Sequence, residues 1–381
     1  MNAARDQIRN LYAKADAKER QVIQEQIRDL QRDLYTDWEL LFGLGTSPLQ
    51  WALIQIGVDL SIFTNLFASC TPITHQTLVH STNASPTLLR HLLRSFASFG
   101  LITETAKDTF TANRTTRIFA NPHVIGAMPH LSDIHIPVAH ALPGYLRDHN
   151  YQDMTNPKDL PFHTALKTDL EPFEWMKRDG TQMKAMGHVM VLDAVTSWVS
   201  SYPVEREVGT FKPATDSALL VDIGGGFGQH SIAFQQAFPQ LPGRIVVQDV
   251  ASTLAHAPAI EGIEFTEHDF FTKQPIQGAK FYYVRHIMHD WADGDCIRIL
   301  QNIIPAMGPE SRILIDEVAL PEMKVPWQVA SMDIAMMSCL GGIERSKEDW
   351  ASLLDRAGLK MVDLHMYDDA RFHSIVAAVP K

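Results

Sequence analysis

The run FYYVRHIMHDW, residues 281–291, sets Arg285, His286, His289 and Asp290 just past an apolar stretch. An aromatic hydroxyl has a pKa of about 10, so on the order of 0.1% of it is ionised near neutral pH and an attacking oxygen gains from a positioned base. Imidazole, with a pKa of about 6.5, is matched to that task. A carboxylate beside it fixes the tautomer and makes the ring a stronger base. Asp290 adjoins His289, and two further acids fall at suitable places: Glu317 ends the apolar run in RILIDEVALP, and Glu344 follows the Gly341-Gly342 turn in GGIERS. Singly, each acid reads as a surface ion pair or a cap, and a lone histidine as structural. The reading rests on their occurring together.

A second constellation, Asp222-Ile223-Gly224-Gly225-Gly226-Phe227-Gly228, follows the apolar run LLVDI and precedes SIAFQQAF, which has helical character. Glycines here let the backbone turn sharply and approach a bound cofactor closely. The dinucleotide pattern GxGxxG fails, because its third glycine falls on Gln229, whereas GxGxG fits Gly224, Gly226 and Gly228. A pyrophosphate favours a helix N-terminus, while a cofactor with a sulfonium and an amino acid tail needs a tight loop and nearby carboxylates such as Asp222. Asp249 ends RIVVQDV, where a carboxylate can accept from both ribose hydroxyls or cap the next helix. Asp269 and Phe270 in EHDFF, at the end of a third apolar run, combine an acceptor for an exocyclic amine with an aromatic wall, the needs of an adenine.

The elements that must position these residues announce themselves from about Leu219. Short apolar runs (LLVDI, RIVVQDV, IEFTEHD, FYYVRHI, RILIDEV and finally FHSIVAAV) alternate with helical segments. That rhythm predicts a mostly parallel sheet with helices on both faces, with ligands bound outside the carboxyl ends of the strands. Every polar residue named above falls at one of those ends.

Upstream, residues 3–42 read as a helix in which Ile23, Ile27, Leu30, Leu34, Trp38 and Leu41 form one stripe, either lying on its own domain or forming a seam for a partner subunit. Residues 48–119 read as a compact helical unit with a small β-wing: helix, turn, helix, short strand, with Ser85 as cap, Pro86 in the first turn and Gly100 ending the second helix. This helix-turn-helix invites a DNA-binding reading, but its second helix spends Leu88, Leu89, Leu92, Leu93, Phe96 and Phe99 on burial. Residues 120–205 are proline-rich, then helical from about Gly180 to Ser200, where Met183, Met186 and Met190 crowd together as plain core or as the wall of an apolar pocket.

The 381 residues suit two domains of unequal size, and 45% hydrophobic with 20% charged residues is an ordinary globular composition. A net charge of −11 argues against a nucleic-acid backbone as the main partner. Cys70, Cys296 and Cys339 lie far apart, with no zinc spacing and no disulfide framework, and no run of about 18 apolar residues predicts a membrane span. A reducing, cytoplasmic setting is expected.

The chain from the glycine loop onward resembles the plant caffeate-type and fungal O-methyltransferases of secondary metabolism. The resemblance is carried by VDIGGGFG, VVQDV, EHDFF, the HDW after FYYVRHIM, IDEVALP, MDIAMM and GGIERS, in that order. It implies an α/β, Rossmann-like class I methyltransferase sheet, mostly parallel with an antiparallel last strand, over residues 206–381. It implies a winged-helix-like dimerisation domain over 1–120, serving subunit contact instead of DNA, and a connecting region over 121–205 that contributes to the acceptor pocket. The implied donor is S-adenosylmethionine, with S-adenosylhomocysteine as product. The implied partners are a small hydroxylated acceptor and a second copy of the chain, with no nucleic acid, membrane or metal.

Residue by residue, the resemblance makes His289 the proton acceptor, with Glu317 and Glu344 as flanking acids and Asp290 orienting. Asp222, Gly224, Gly226 and Gly228 form the cofactor loop, Asp249 binds ribose, and Asp269 and Phe270 sit at adenine. Arg285 stands where the family commonly has lysine, as a cationic contact to the cofactor. Met186 matches a pocket methionine near the methyl group, with Met183, Met190 and Phe173 as further lining. The implied reaction is in-line displacement, in which positioning and timely deprotonation supply most of the rate. Its rival on the same fold keeps the donor as an electrostatic aid to dehydration or a pericyclic step, a reading that His130, His135 and His140 keep open. A winged-helix DNA-binding regulator and an NAD-dependent oxidoreductase are the more distant alternatives.

Overall fold

The computed structural model describes residues 2–381 other than 155, 179, 194–196, 213–216 and 256. Its contacts divide it into two compact units, Met1–Asp133 with Met176–Ala194, and Ile134–Trp175 with Val195–Lys381. The connecting region read from the sequence is thus shared between them.

In the first unit, the single helix expected over residues 3–42 is three: Asn2–Lys14, Ala17–Leu34 and Asp37–Gly45. The breaks fall at Asp16 and Thr36, each of which accepts from the backbone of a glutamate three residues on, Glu19 and Glu39, whose side chains return the bond. Two capping boxes restart the helix where the apolar stripe alone suggests continuity. Helices Ser47–Asp59, Ile62–Ala68, His75–Thr82 and Pro86–Ser98 then enclose a core around Leu53, Phe63, Leu78, Leu93 and Phe96. Strands Ile73–Thr74, Thr103–Ala106 and Thr109–Thr111 form a small antiparallel sheet beside them. Ser85 precedes helix Pro86–Ser98 as expected but makes no side-chain cap, so the proline at the first turn carries that start. Gly100, with φ of +69°, follows the end of the helix.

Much of the proline-rich stretch is helical as well, because Pro122, Pro137, Pro161 and Pro172 stand in first turns, where no backbone donor is needed. The helix expected to Ser200 runs only over Thr181–Asp193, with a separate turn at Trp198–Ser200; residues 194–196 of that expectation lie outside the described ones. Among the described residues no single helix is long and apolar enough to cross a membrane.

The second unit is built on one large sheet. Its strands are β1 (Ala218–Ile223), β2 (Arg244–Asp249), β3 (Ile263–Glu267), β4 (Phe281–Arg285), β5 (Arg312–Leu320), the short β6 (Arg345–Ser346), β7 (Leu359–Asp368) and β8 (His373–Pro380). The order is β7-β8-β5-β4-β1-β2-β3, with β6 added parallel to the end of β5. Pairings among β1 to β6 are parallel, and β8 is antiparallel to both its neighbours, so the last strand is the one reversed, as expected. All six residues of β1 are buried, as a strand covered on both faces requires. Val221, Tyr282, Val284, Ile313 and Ile315 pack on one face against Ile299, Leu300 and Trp350. Leu220, Val247, Tyr283 and Leu314 pack on the other against Trp198 and Phe234.

The sheet order reverses direction between β1 and β4. That opens a crevice beyond their carboxyl ends. The glycine loop leaves β1 there, and the His289 segment leaves β4 beside it.

Candidate active site

His289 sits on a tight turn, Met288–Asp290, immediately after β4. Its Nδ1 lies 2.8 Å from Glu344 Oε1 and 3.7 Å from Glu317 Oε2, and its Nε2 lies 3.5 Å from Asp290 Oδ1. The four side chains expected to act together thus converge, from a turn, a strand and a loop. Glu317 is not at a strand end: β5 continues to Leu320 because β6 and β8 both pair along it. One Glu317 oxygen, Oε1, accepts from the backbone amides of Ile287 and Met288, each at 2.9 Å. These bonds hold the base-bearing turn against the strand. Glu344 is held in turn by its own amide, which donates to Asp333 at 2.9 Å.

Three carboxylates share one ring here, and the second oxygens of Glu317 and Glu344 are buried without a hydrogen-bond partner. A buried carboxylate oxygen left unpaired is costly, so the cluster retains affinity for positive charge. Burial alone drives His289 toward its neutral form, but Glu317, Asp290 and Glu344 reverse this and raise the ring to about 10. Burial, opposed by His289 and reinforced by Glu344, pushes Glu317 up to about 7. Burial likewise lifts Asp290 to about 6. The His286 ring stacks on His289 with centroids 5.1 Å apart, and burial first, then Arg285 and His289, hold it well below the usual histidine range. A neutral ring therefore covers the face of a charged one. His289, Glu317 and Glu344 bring a ring nitrogen and two carboxylate oxygens within 4.8 Å of one another, and the ring nitrogen facing these acids is the one hydrogen-bonded to Glu344.

The glycine loop lies on the neighbouring strand. Gly224 and Gly225 donate to the Gln248 carbonyl, and the Gly226 amide donates to Asp249 Oδ2 at 3.0 Å. Gly226 has φ of +58° and open space where a Cβ would stand, so the backbone there is left bare. Gly225, which the GxGxG pattern skips, is needed as well: a Cβ would strike the Asp222 carboxylate. Asp222 lies beneath the loop, accepting from Ser231 Oγ at 2.7 Å, and burial raises it to about 7. Asp249 accepts from Gly226 and, at 2.8 Å, from Val250.

Asp269 and Phe270 fall two and three residues beyond the end of β3, in a turn where Asp269 accepts from Phe271. Phe270, Phe271 and Trp291 form an aromatic group, and Phe173 stacks on Trp291 at 6.0 Å. These features suit S-adenosylmethionine: a bare backbone loop, a half-buried carboxylate at the next strand end, an aromatic wall, and unpaired anionic oxygens beyond the adjacent strand. Met183, Met186 and Met190 lie on helix Thr181–Asp193 of the first unit, with Met183 and Met186 half-buried and Met190 exposed.

Arg285 ends β4 but is committed within the protein: its Nη1 donates to Asp316 Oδ2 and to Tyr367 Oη, both at 2.7 Å. Asp316 also accepts from Tyr283 and Tyr367. Sequence reasoning missed this network, together with Asp333, the close approach of Gly342 to the His289 carbonyl, and Arg345. The signal for the last two stood inside GGIERS, on either side of Glu344. The second helix of the helix-turn-helix has Leu89, Leu93 and Phe96 buried, and its Arg90 is paired with Asp108 at 3.2 Å.

Comparison with known proteins places these features in a family. The O-methyltransferase domain family matches residues 158–360. A demethylsterigmatocystin 6-O-methyltransferase of Aspergillus parasiticus is 49% identical over 374 residues, 98% of this chain and 96% of its own length. The solved structure of LepI in complex with S-adenosylmethionine superposes with a TM-score of 0.95 at 32% identity, over 100% of this chain and 98% of that one. A structure described as a pericyclic reaction enzyme matches with a TM-score of 0.95 at 32% identity, over 100% and 99%.

Proposed function

This chain belongs to the O-methyltransferase family, and from that premise we propose that it transfers a methyl group from S-adenosylmethionine to a hydroxyl of an aromatic or polyketide-like small molecule. His289 acts as the base. The observation that carries the proposal is the 2.8 Å contact of His289 Nδ1 with Glu344, beside the point where the sheet order reverses. That contact puts the ring's second nitrogen, Nε2, on the far side from the acids that orient it, apart from Asp290.

The bound donor supplies an electrophilic methyl on a cationic sulfur, held in this reading by Gly224, Gly226 and Gly228, with Asp249 at the ribose and Asp269 and Phe270 at the adenine. Arg285 supports that site from its ion pair with Asp316. Phe173, stacked on Trp291, is assigned to the acceptor pocket. The chain's own residues do the rest. His289 must be neutral to take the acceptor's proton, and burial raises Glu317 to about 7 and Asp290 to about 6, which brings their proton affinities toward that of the ring they face. The carboxylates thus set how readily the ring exchanges its proton, and Asp290 orients it. A phenol and a ring raised to about 10 are closely matched, so transfer between them needs little driving force.

The test is incubation of the purified protein with isotopically labelled donor and a panel of phenolic acceptors, with mass analysis of the products. Labelled product from the parent chain and none from His289→Ala is expected, with S-adenosylhomocysteine binding retained. Undiminished turnover in the variant overturns the base assignment. The likeness to a pericyclic reaction enzyme favours a second reading, a donor-dependent rearrangement or dehydration without methyl transfer. An acceptor transformed without gaining the label decides for it.

The same proposal includes a homodimer. Helices Asn2–Lys14, Ala17–Leu34 and Asp37–Gly45 bury no residue, and Leu34, Trp38, Leu41 and Leu44 are 74%, 66%, 66% and 76% exposed. So much apolar surface on one stretch calls for cover, and a second copy supplies a matching one. Removal of residues 1–45 is expected to give a monomer in sedimentation; an unchanged dimer takes these helices out of the interface. The free thiols Cys70, Cys296 and Cys339 are in keeping with work in the cytosol.

A further inference from the structure

Arg345 follows Glu344 directly, and its side chain is fully buried. A guanidinium is seldom taken wholly out of water, and replacing a buried ionic group by packed hydrocarbon is often neutral or stabilising. Its partners show what it gains instead. Nη1 donates to the Met288 carbonyl at 2.9 Å, and Nη2 donates to the Trp291 carbonyl at 3.1 Å. Those two carbonyls bracket His289 and Asp290. Nε and Nη2 both donate to Asp293 Oδ1, at 3.1 and 2.9 Å, closing the far side of the same segment.

The guanidinium also lies over the Trp350 ring, 5.3 Å from its centre, and the Trp350 indole donates at 3.2 Å to the carbonyl of Val318, the residue after Glu317. The backbones meet as well: Arg345 pairs with Ala319 across β6 and β5, and a Cβ on Gly342 would run into the His289 carbonyl. One planar cation therefore gathers the three segments that carry His289, Glu344 and Glu317. A lysine offers a single point charge and cannot span two carbonyls and a carboxylate in a fixed fork.

We propose that Arg345 is a positioning residue for the methyl-transfer reaction, holding the Glu344 loop at the distance from His289 that sets the proton affinity of the base. This rests on His289 being the base. The groups facing that ring are Glu344 with Asp333 behind its amide, Glu317 on β5, Asp290 on its own turn, and His286, backed by Arg285 and His373. Among them Glu344 is the one whose loop Arg345 ties directly to the His289 turn.

The experiment is a pH profile of kcat on the full chain for Arg345→Lys, Glu344→Gln and the double variant, with S-adenosylhomocysteine affinity measured beside it. Arg345→Lys is expected to lower plateau kcat by about tenfold, no more than Glu344→Gln, because it acts through that carboxylate. Its acid limb should move to lower pH, because the ring loses carboxylate support, while the affinity stays within about twofold, since the glycine loop leaves a different strand. The double variant should lose no more than about threefold beyond Glu344→Gln, as expected of residues acting through one another.

A wild-type profile, a rate loss with an unmoved limb, or losses that multiply would each overturn the proposal. If Arg345→Lys does not fold, Trp350→Phe keeps the ring under the guanidinium and removes the bond to Val318. A smaller shift of the limb in the same direction supports the proposal, and an unmoved limb overturns it. If His289→Ala turns over normally, the base assignment fails. If it is inactive while Arg345→Lys keeps the wild-type profile, only the clamp fails.

Discussion

Asp316 and Glu317 are consecutive residues of β5, both wholly buried, and their side chains enter opposite faces of the sheet. On the Asp316 face every oxygen is engaged: Tyr283 and Arg285 donate to Oδ2, and Tyr367 donates to Oδ1. On the Glu317 face Oε1 is held by two amides, while Oε2 is buried without a hydrogen bond, 3.7 Å from His289. The same chemistry thus serves two ends on one strand. A buried charge whose partners are complete is scaffolding. A buried charge left short of partners, beside a group that exchanges protons, is equipped to meet a cation or a moving proton.

The contrast breaks first at His289. Replacing it with alanine should lower single-turnover methyl transfer by about 10²- to 10⁴-fold, the usual worth of a general base. Measured donor binding should be nearly unaltered, and loss of binding in parallel would make the ring a structural element like Asp316. Glu344→Gln comes next. It keeps a neutral acceptor but removes a charge that raises the ring, so the acid limb of kcat should shift to lower pH with a plateau about tenfold lower.

The sign is fixed by the chemistry. A base must be deprotonated to work, so activity rises as pH passes upward through its proton affinity. In the parent chain that rise should lie on the alkaline side of an ordinary histidine, because the ring is raised toward 10. A limb at or below about 6.5 contradicts the role assigned to the carboxylates. The smallest effect is expected beneath the glycine loop: Ser231→Ala removes a hydroxyl that donates to Asp222 and should cost about 1 kcal/mol in denaturant unfolding, with turnover little changed.

The cluster proposed to react was legible in sequence because a doubly wound sheet gathers segments near its strand ends at one crevice: His289 and Asp290 follow β4, whereas Glu317 lies inside β5 and Glu344 just before β6. Arg285 is different. Read as a cationic contact to a cofactor, it is paired with Asp316, a partner 31 positions away whose approach depends on β4 lying beside β5. Residue type alone cannot report that pairing, although the alternation along RILIDEV already separates Asp316 from Glu317.

The N-terminal helices were misjudged for a more local reason. Their breaks were written in Asp16–Glu19 and Thr36–Glu39, but a continuous apolar stripe outweighed the capping signal. Arg345 stood within a recognised motif and still went unread. A buried arginine and a surface arginine look alike until the packing around them is known.

The most direct test compares the two neighbours on β5, measuring folded stability and single-turnover rate for Asp316→Asn and Glu317→Gln in parallel. Asp316→Asn should strand the Arg285 charge and cost about 3–5 kcal/mol of stability, while the molecules that remain folded transfer methyl at close to the parent rate. Glu317→Gln should keep its melting temperature and lose rate by about tenfold or more, with a displaced pH profile. Equal losses of rate and stability in both variants, or the reverse assignment, would contradict the division between a supporting and a reacting face.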